Sequence, residues 1–171
     1  PDRAGRVALE RDLAAARLGP HGRPIINTYY GLARQMVYLF WPAVAAQAGF
    51  RASAGEPTFL TYESAQYLMY QIAQPLRDKG YFGDLRIRAR RLTSQLLDNL
   101  NRAAINGYPH TEVGERLARA DVRSEQTRLY MQAQECANRF RQTCLERNAL
   151  DISLTVELFN QWLLPQPLFW I

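Results

Sequence analysis

The chain has 171 residues, 47% of them hydrophobic and 22% charged, which suffices for one compact domain with a real core or for a piece of a larger one. Its net charge is +5 and Lys79 is the only lysine among 21 basic residues, so phosphate- or carboxylate-bearing partners fit this arginine surface, as does simple solvation. The longest apolar run, residues 36–46, is too short to span a bilayer and contains Pro42, and no signal-peptide layout opens the chain; a cytoplasmic protein with no membrane partner is expected.

Residues 2–18 have high helix propensity, and Val7, Leu9, Leu13, Ala14 and Leu18 form a rough apolar stripe that ends at Gly19-Pro20-His21-Gly22. Pro24 bars a helix and Ile25-Ile26 favour extended backbone, so at most one or two short strands are expected near residues 24–28, running directly into a helix. Leu32, Ala33, Met36, Val37 and Phe40 then recur at helical spacing until Trp41-Pro42 breaks or kinks the helix. The stretch 49–57, rich in Gly, Ala and Ser, is a loop and a candidate subdomain boundary.

Thr61 is placed to cap a helix whose Ala65, Leu68, Met69, Ile72, Ala73 and Leu76 keep an amphipathic rhythm, with a kink expected near Gln71 because the Pro75 ring meets its carbonyl. Phe59, Tyr62, Tyr67 and Tyr70 fit either a stacking platform or ordinary core and rim. After a turn over residues 80–84 comes the densest basic stretch, Leu85-Arg86-Ile87-Arg88-Ala89-Arg90-Arg91-Leu92. Read as a helix, it puts Arg86 and Arg90 on one face and Arg88 and Arg91 on another, a basic collar. Leu92, Leu96, Leu97, Leu100 and Ala104 continue that helix to Gly107.

A short helix from about Thr111 through Ala120 precedes a long one over residues 124–147 that buries Leu129, Ala133, Cys136, Ala137, Phe140 and Cys144. Asp151 is a good N-cap for the last helix, which carries Ile152, Val156, Phe159 and Trp162 inward and ends at Leu164-Pro165-Gln166-Pro167. The fold class expected is therefore mainly α, a helical bundle.

The chemistry on offer is narrow. At the joint before Tyr29, the first N–H groups of a helix lack internal partners and sit beside a hydroxyl (Thr28), two phenols (Tyr29 and Tyr30) and Gly31, which suits a phosphate and a stacked base. His21 and His110, both in Pro/Gly loops, form no recognisable metal site with the cysteines. Cys136 and Cys144 lie roughly 12 Å apart along one helix, too far for a disulfide, and read as buried thiols. There is no Gly-x-x-x-x-Gly-Lys-(Ser/Thr) phosphate loop, Lys79 preceding Gly80 in the wrong order, and neither an acid/base pair nor a nucleophile triad can be named. No catalytic residue, metal or cofactor is expected in this chain.

Thr28-Tyr29-Tyr30-Gly31-Leu32-Ala33 resembles the Thr-Phe-His-(Ser/Gly)-Leu-Ala motif at a strand-to-helix junction of UvrD/Rep/PcrA-like superfamily 1 DNA helicases, with Tyr30 in place of the histidine. Leu150-Asp151-Ile152-Ser153-Leu154 is similar to the same family's Leu-Asp-Phe-Asp-Asp pattern; Leu150 and Asp151 agree, Ile152 replaces Phe, and Ser153 and Leu154 depart from the acids. The order and spacing of the two patterns, with a helical insert between them, imply that residues 1–42 and 149–171 resemble parts of motor domain 1A and residues 43–148 the 1B subdomain. Proline at position 1 and the apolar Leu-Phe-Trp-Ile close suit an excised fragment.

The resemblance implies an ATP-dependent DNA helicase as parent, which uses ATP and Mg to translocate along and unwind DNA, while this chain alone lacks the ATP site and is inactive. It implies that Thr28 contacts the DNA backbone, that Tyr29 and Tyr30 lie near single-stranded DNA, and that Arg34 is close to a basic position after the motif. Together with the basic stretch, the expected nucleic-acid-binding residues are Thr28, Tyr29, Tyr30, Arg34, Arg86, Arg88, Arg90 and Arg91, and the expected partners are DNA and the remaining helicase domains. A free-standing helical protein-interaction module, with Trp41, Trp162 and Trp170 marking contacts, is the competing expectation. A small sequence-specific regulator ranks last, since no helix-turn-helix signature is present.

Overall fold

A computed structural model describes residues 3–15, 26–51, 55–120 and 124–167, and among these the chain is mainly helical. The elements are α1 (Arg3–Ala15), α2 (Tyr29–Leu39), α3 (Trp41–Ala48), β1 (Thr58–Phe59), α4 (Tyr62–Asp78), α5 (Ala89–Ile105), α6 (Val113–Ala120), α7 (Ser124–Arg147), β2 (Ala149–Leu150) and α8 (Ile152–Leu158). Helix α8 widens into a π-helical turn over Phe159–Leu163.

The molecule is built around α8. Ser153, Leu154, Thr155, Val156, Glu157 and Leu158 are all buried, so this helix has no solvent face. Helices α2 and α5 pack against it, and β2 leads into it directly from α7. A helix enclosed on every side must satisfy its polar side chains internally. Thr155 does so by donating its hydroxyl to the Asp151 carbonyl at 2.6 Å. Asp151 caps the helix by accepting from the Leu154 N–H at 2.9 Å, as its position in the sequence foretells.

Helices α4 and α5 form an antiparallel hairpin, tied across by the Gln66 amide donating to Ser94 Oγ at 2.6 Å. Their connection departs from expectation. Residues 85–88 are not helical; α5 begins at Ala89, with Arg88 extended (φ −69°, ψ 146°) at its N-cap. Leu85 and Ile87 are half-buried while Arg86 and Arg88 are exposed, a period-two alternation that suits extended backbone. Phe82 turns the corner. It is buried at φ 60°, and its N–H donates to Gln132 Oε1 at 2.8 Å, which offsets part of the cost of that backbone.

Helices α6 and α7 touch at Gly114, where an added Cβ would lie 2.5 Å from the Tyr130 carbonyl oxygen. Gln134 on α7 is buried there, accepting from the Gly114 N–H at 2.6 Å and donating to the His110 carbonyl at 2.8 Å.

Strand pairing also lies elsewhere than expected. Strands β1 and β2 are parallel, with Thr58 opposite Ala149 and Phe59 opposite Leu150. Residues 24–25 lie outside the described residues, and Ile26, Asn27 and Thr28 belong to no strand. Asn148 swings the chain from α7 into β2 at φ 55°, its amide donating to the carbonyls of Gly55 (3.2 Å) and Glu56 (3.1 Å). In the expected stripe on α1, Val7 and Leu9 are exposed and Leu13 half-buried, while Leu18 lies outside the described residues.

Candidate nucleic-acid interface

The first turn of α2 follows from its sequence. Thr28 is extended (φ −76°, ψ 160°), and its Oγ1 accepts from the Gly31 N–H at 3.0 Å, while its own N–H donates to Asn27 Oδ1 at 2.9 Å. Capping uses the acceptor side of that hydroxyl and leaves its proton for a phosphate oxygen. The N–H groups of Tyr29 and Tyr30, in the first turn, have no acceptor within the helix. An alanine at Gly31 would put its Cβ 2.0 Å from Asn27 Oδ1, so glycine is what allows Asn27 to fold over the helix start.

The aromatic pair divides. Tyr29 is 45% exposed, yet its hydroxyl donates to Asn160 Oδ1 and its ring meets Phe159 edge-on at 5.7 Å. Partial burial of the phenol raises its pKa, so it stays a neutral donor. Tyr30 is half-buried against the core and offers less surface for stacking. Arg34 is exposed, with its guanidinium carbon 4.5 Å above the Phe59 ring centroid. Two clefts of about 400 and 410 Å³ share Asn27 and Gln35: Thr28 and Tyr29 line one, Arg34 and Phe59 the other.

Asn160, which sequence reading passed over, joins this site to the bundle. Its amide nitrogen donates to the Ala104 carbonyl at 2.9 Å while its oxygen receives the Tyr29 hydroxyl. That bond places the α2 start beside the C-terminal end of α5. Arg88, Arg90 and Arg91 sit at the other end, roughly 20 Å away along the helix axis, and Arg86 precedes them. The expected site is therefore two patches. All four of these arginines are exposed, and none makes an ion pair among the described residues. Cations at a helix N-terminus oppose its dipole, and the first turn of α5 contains no acid to relieve them. The aromatic candidates on α4, namely Tyr62, Tyr67 and Tyr70, are exposed, whereas Phe59 is half-buried under Arg34.

A second polar cluster went unseen in the sequence. His110 is fully buried, with Nε2 2.8 Å from Ser153 Oγ, and Ser153 donates to Asp151 Oδ2 at 2.7 Å. Since the one hydroxyl proton goes to Asp151, Nε2 must carry the imidazole proton, which leaves Nδ1 an acceptor without a partner. Glu157 accepts the His110 backbone N–H at 2.7 Å and an Arg141 N–H on its other oxygen. Burial, with help from the Arg141 charge, pushes the imidazole pKa down to about 3. Burial raises both Asp151 and Glu157, against the hydrogen bonds and, at Glu157, the Arg141 charge that favour their ionised forms.

Serine, histidine and carboxylates thus do meet, but Ser153 and His110 have no exposed surface for a substrate to reach, so the arrangement is a clamp joining the turn before α6, α7 and α8. Cys136 and Cys144 are free and buried; burial pushes the Cys136 thiol up to about 12 and raises Cys144 likewise, which suppresses thiolate chemistry.

Among the described residues, no group of three or more His, Cys, Asp or Glu could hold a metal ion, and no helix is long and apolar enough to cross a membrane. The residues present do not fit an ATP phosphate site of the phosphate-loop kind, the only lysine being the cap at the end of α4. No protein-family model, curated protein or solved structure matches the chain.

Proposed function

We propose that this chain is a DNA-binding segment of a UvrD-like, ATP-dependent DNA helicase, holding single-stranded DNA or a single-strand/duplex junction while other segments of the parent supply ATP, Mg and the stepping motion. The observation that carries the reading is the Tyr29–Asn160 hydrogen bond. It draws together the two family-like segments, α2 and the helix that Asp151 starts, from positions 131 residues apart in the sequence. In this reading the Thr28 hydroxyl and the first N–H groups of α2 take a phosphate, the Tyr29 ring faces a base, and Arg34 adds charge. The division at residues 43 and 148 into 1A-like flanks and a 1B-like insert belongs to the same proposal, as do a cytoplasmic setting and contacts to the remaining helicase domains.

The competing reading is a helical protein-interaction module. It draws on the exposed apolar side chains of α2, Leu32, Tyr38 and Leu39, the last of them 66% exposed. Anisotropy of a fluorescein-labelled single-stranded oligonucleotide separates the two. The helicase reading expects binding that weakens steeply with salt and falls several-fold in Thr28→Ala, with Thr28→Ser restoring it. Absence of binding at low salt by folded protein leaves the interaction module standing.

A further inference from the structure

The groove between the second half of α5 and α6 belongs to neither arginine patch nor to the α2 clefts. Its volume is about 610 Å³, well within the range of small-ligand sites. Val113 and Leu117 form an apolar floor, and the rim carries Arg102 from α5 with Arg116 and Arg119 from α6.

The three guanidinium groups are not equivalent. Arg116 lies 3.8 Å above the Tyr108 ring and 2.7 Å from Glu112, so it is a flat group held in place on a second flat group. Arg119 is 79% exposed and reaches Glu115 at 3.3 Å, a surface pair that costs little to open. Arg102 is exposed and makes no ion pair among the described residues. Its position in the last turn of α5 suits the helix dipole, which alone would account for a basic residue but not for its place on the edge of a cavity. Asn99, half-buried on the same wall, adds an amide that can donate and accept.

An unpaired fork for an oxyanion, a stacked plane, an amide and an apolar floor together match a phosphate joined to a flat heterocycle. We propose that the α5–α6 groove binds a nucleoside phosphate, with the phosphate on Arg102 and the base against the Arg116–Tyr108 stack. The ligand arrives either free or as one unit of a strand. The inference does not rest on the reading of α2, because Thr28 and Tyr29 line a different cleft.

The test titrates the full chain against two fluorescent probes, ethenoadenosine monophosphate and a fluorescein-labelled oligothymidylate. Saturable binding of the mononucleotide that Arg102→Ala weakens about tenfold, that Arg102→Lys restores only in part, and that Thr28→Ala leaves unchanged identifies a free nucleotide as the ligand. Binding of the oligonucleotide alone, with the same dependence on Arg102, identifies the strand as the source. Arg119→Glu, at a solvent-exposed position, is the second variant if circular dichroism finds Arg102→Ala unfolded, and it must weaken binding too. Mononucleotide binding without sensitivity to these variants, oligonucleotide binding alone without that sensitivity, neither probe binding, or hexaglutamate competing as well as AMP overturns the proposal.

Discussion

The inner stretch of α8, from Asp151 to Glu157, is sealed: Asp151, Ser153 and Glu157 are all buried, and each is hydrogen-bonded within the protein. At its Asn160 end the hydrogen bonds run outward instead, through a half-buried amide to a tyrosine ring with 45% of its surface in solvent. Both ends join α8 to chain far away in sequence, but the low dielectric of the first makes every missing partner costly, while water can replace a lost partner at the second. Only the outer end can exchange its bonds for those of a ligand. The inner end is expected to govern stability and the outer end binding.

The largest effect expected is at Glu157. Glu157→Ala strips the acceptor from the buried His110 N–H and the carboxylate from the partly buried Arg141, and should cost about 3 kcal/mol, measured as a fall in the urea midpoint at constant slope. Next is Gly114→Ala, which sets a methyl against the Tyr130 carbonyl of α7 and should cost about 2 kcal/mol in the same assay. A cost as small as that of an exposed Gly→Ala change would mean that the α6–α7 contact yields easily.

Acid should act on the same end. The His110 imidazole is neutral in the folded protein, with its pKa lowered to about 3, whereas in the unfolded chain a histidine takes a proton near 6.5. The unfolded state therefore binds more protons below that pH, so this contribution is complete above about 6.5 and declines by about 1.4 kcal/mol per pH unit as pH falls toward the folded value. The raised carboxylates of Asp151 and Glu157 work in the opposite sense, because the folded state protonates them first on acidification. Comparison with His110→Gln isolates the histidine: between pH 6.5 and 5.5 the unmodified protein should lose about 1 kcal/mol more than the variant, because the unfolded histidine is already half protonated at the start of that interval.

The contrast between the two ends also tracks what the sequence makes legible. Helix α7 and the amphipathic rhythm of α4 are visible because apolar residues repeat at helical spacing, and Asp151 announces a cap by its chemistry. His110 is hidden because Gly107 and Pro109 beside it signal a surface turn, whereas Glu157 and Ser153, distant in sequence, draw it inside. The two-residue strands carry no periodicity, and their pairing joins segments that no local pattern connects. Residues 85–88 mislead in another way: their alternation of Leu, Arg, Ile and Arg fits period two, yet the helix that follows invites extending its own rhythm backward. In the candidate site Thr28 is exposed and Tyr30 half-buried, and the roughly 20 Å of α5 between the α2 start and the α5 arginines depends on Asn160, a polar residue with no local signal at all.

At the outer end Tyr29→Phe tests the Asn160 bond by itself. Its ring still meets Phe159, so the loss should be about 1 kcal/mol or less, and single-strand affinity should change if that hydroxyl orients the base-facing ring.

The smallest expected change in stability carries the sharpest contrast. Replacing Arg86, Arg88, Arg90 and Arg91 together by glutamine removes four cations that no described carboxylate pairs with and that stand at or before the positive end of α5. The fold should become slightly more stable, because the unfavourable meeting of charge and dipole disappears. Oligonucleotide affinity should nevertheless fall, and its logarithmic salt slope should flatten in proportion to the phosphate contacts removed. A rise in stability with a loss of binding would assign these arginines to the ligand, since a cluster kept for the fold would show the reverse. If affinity and salt slope both stay unchanged, the basic patch only solvates the protein, and the α2 start or the α5–α6 groove must account for any nucleic acid the chain holds.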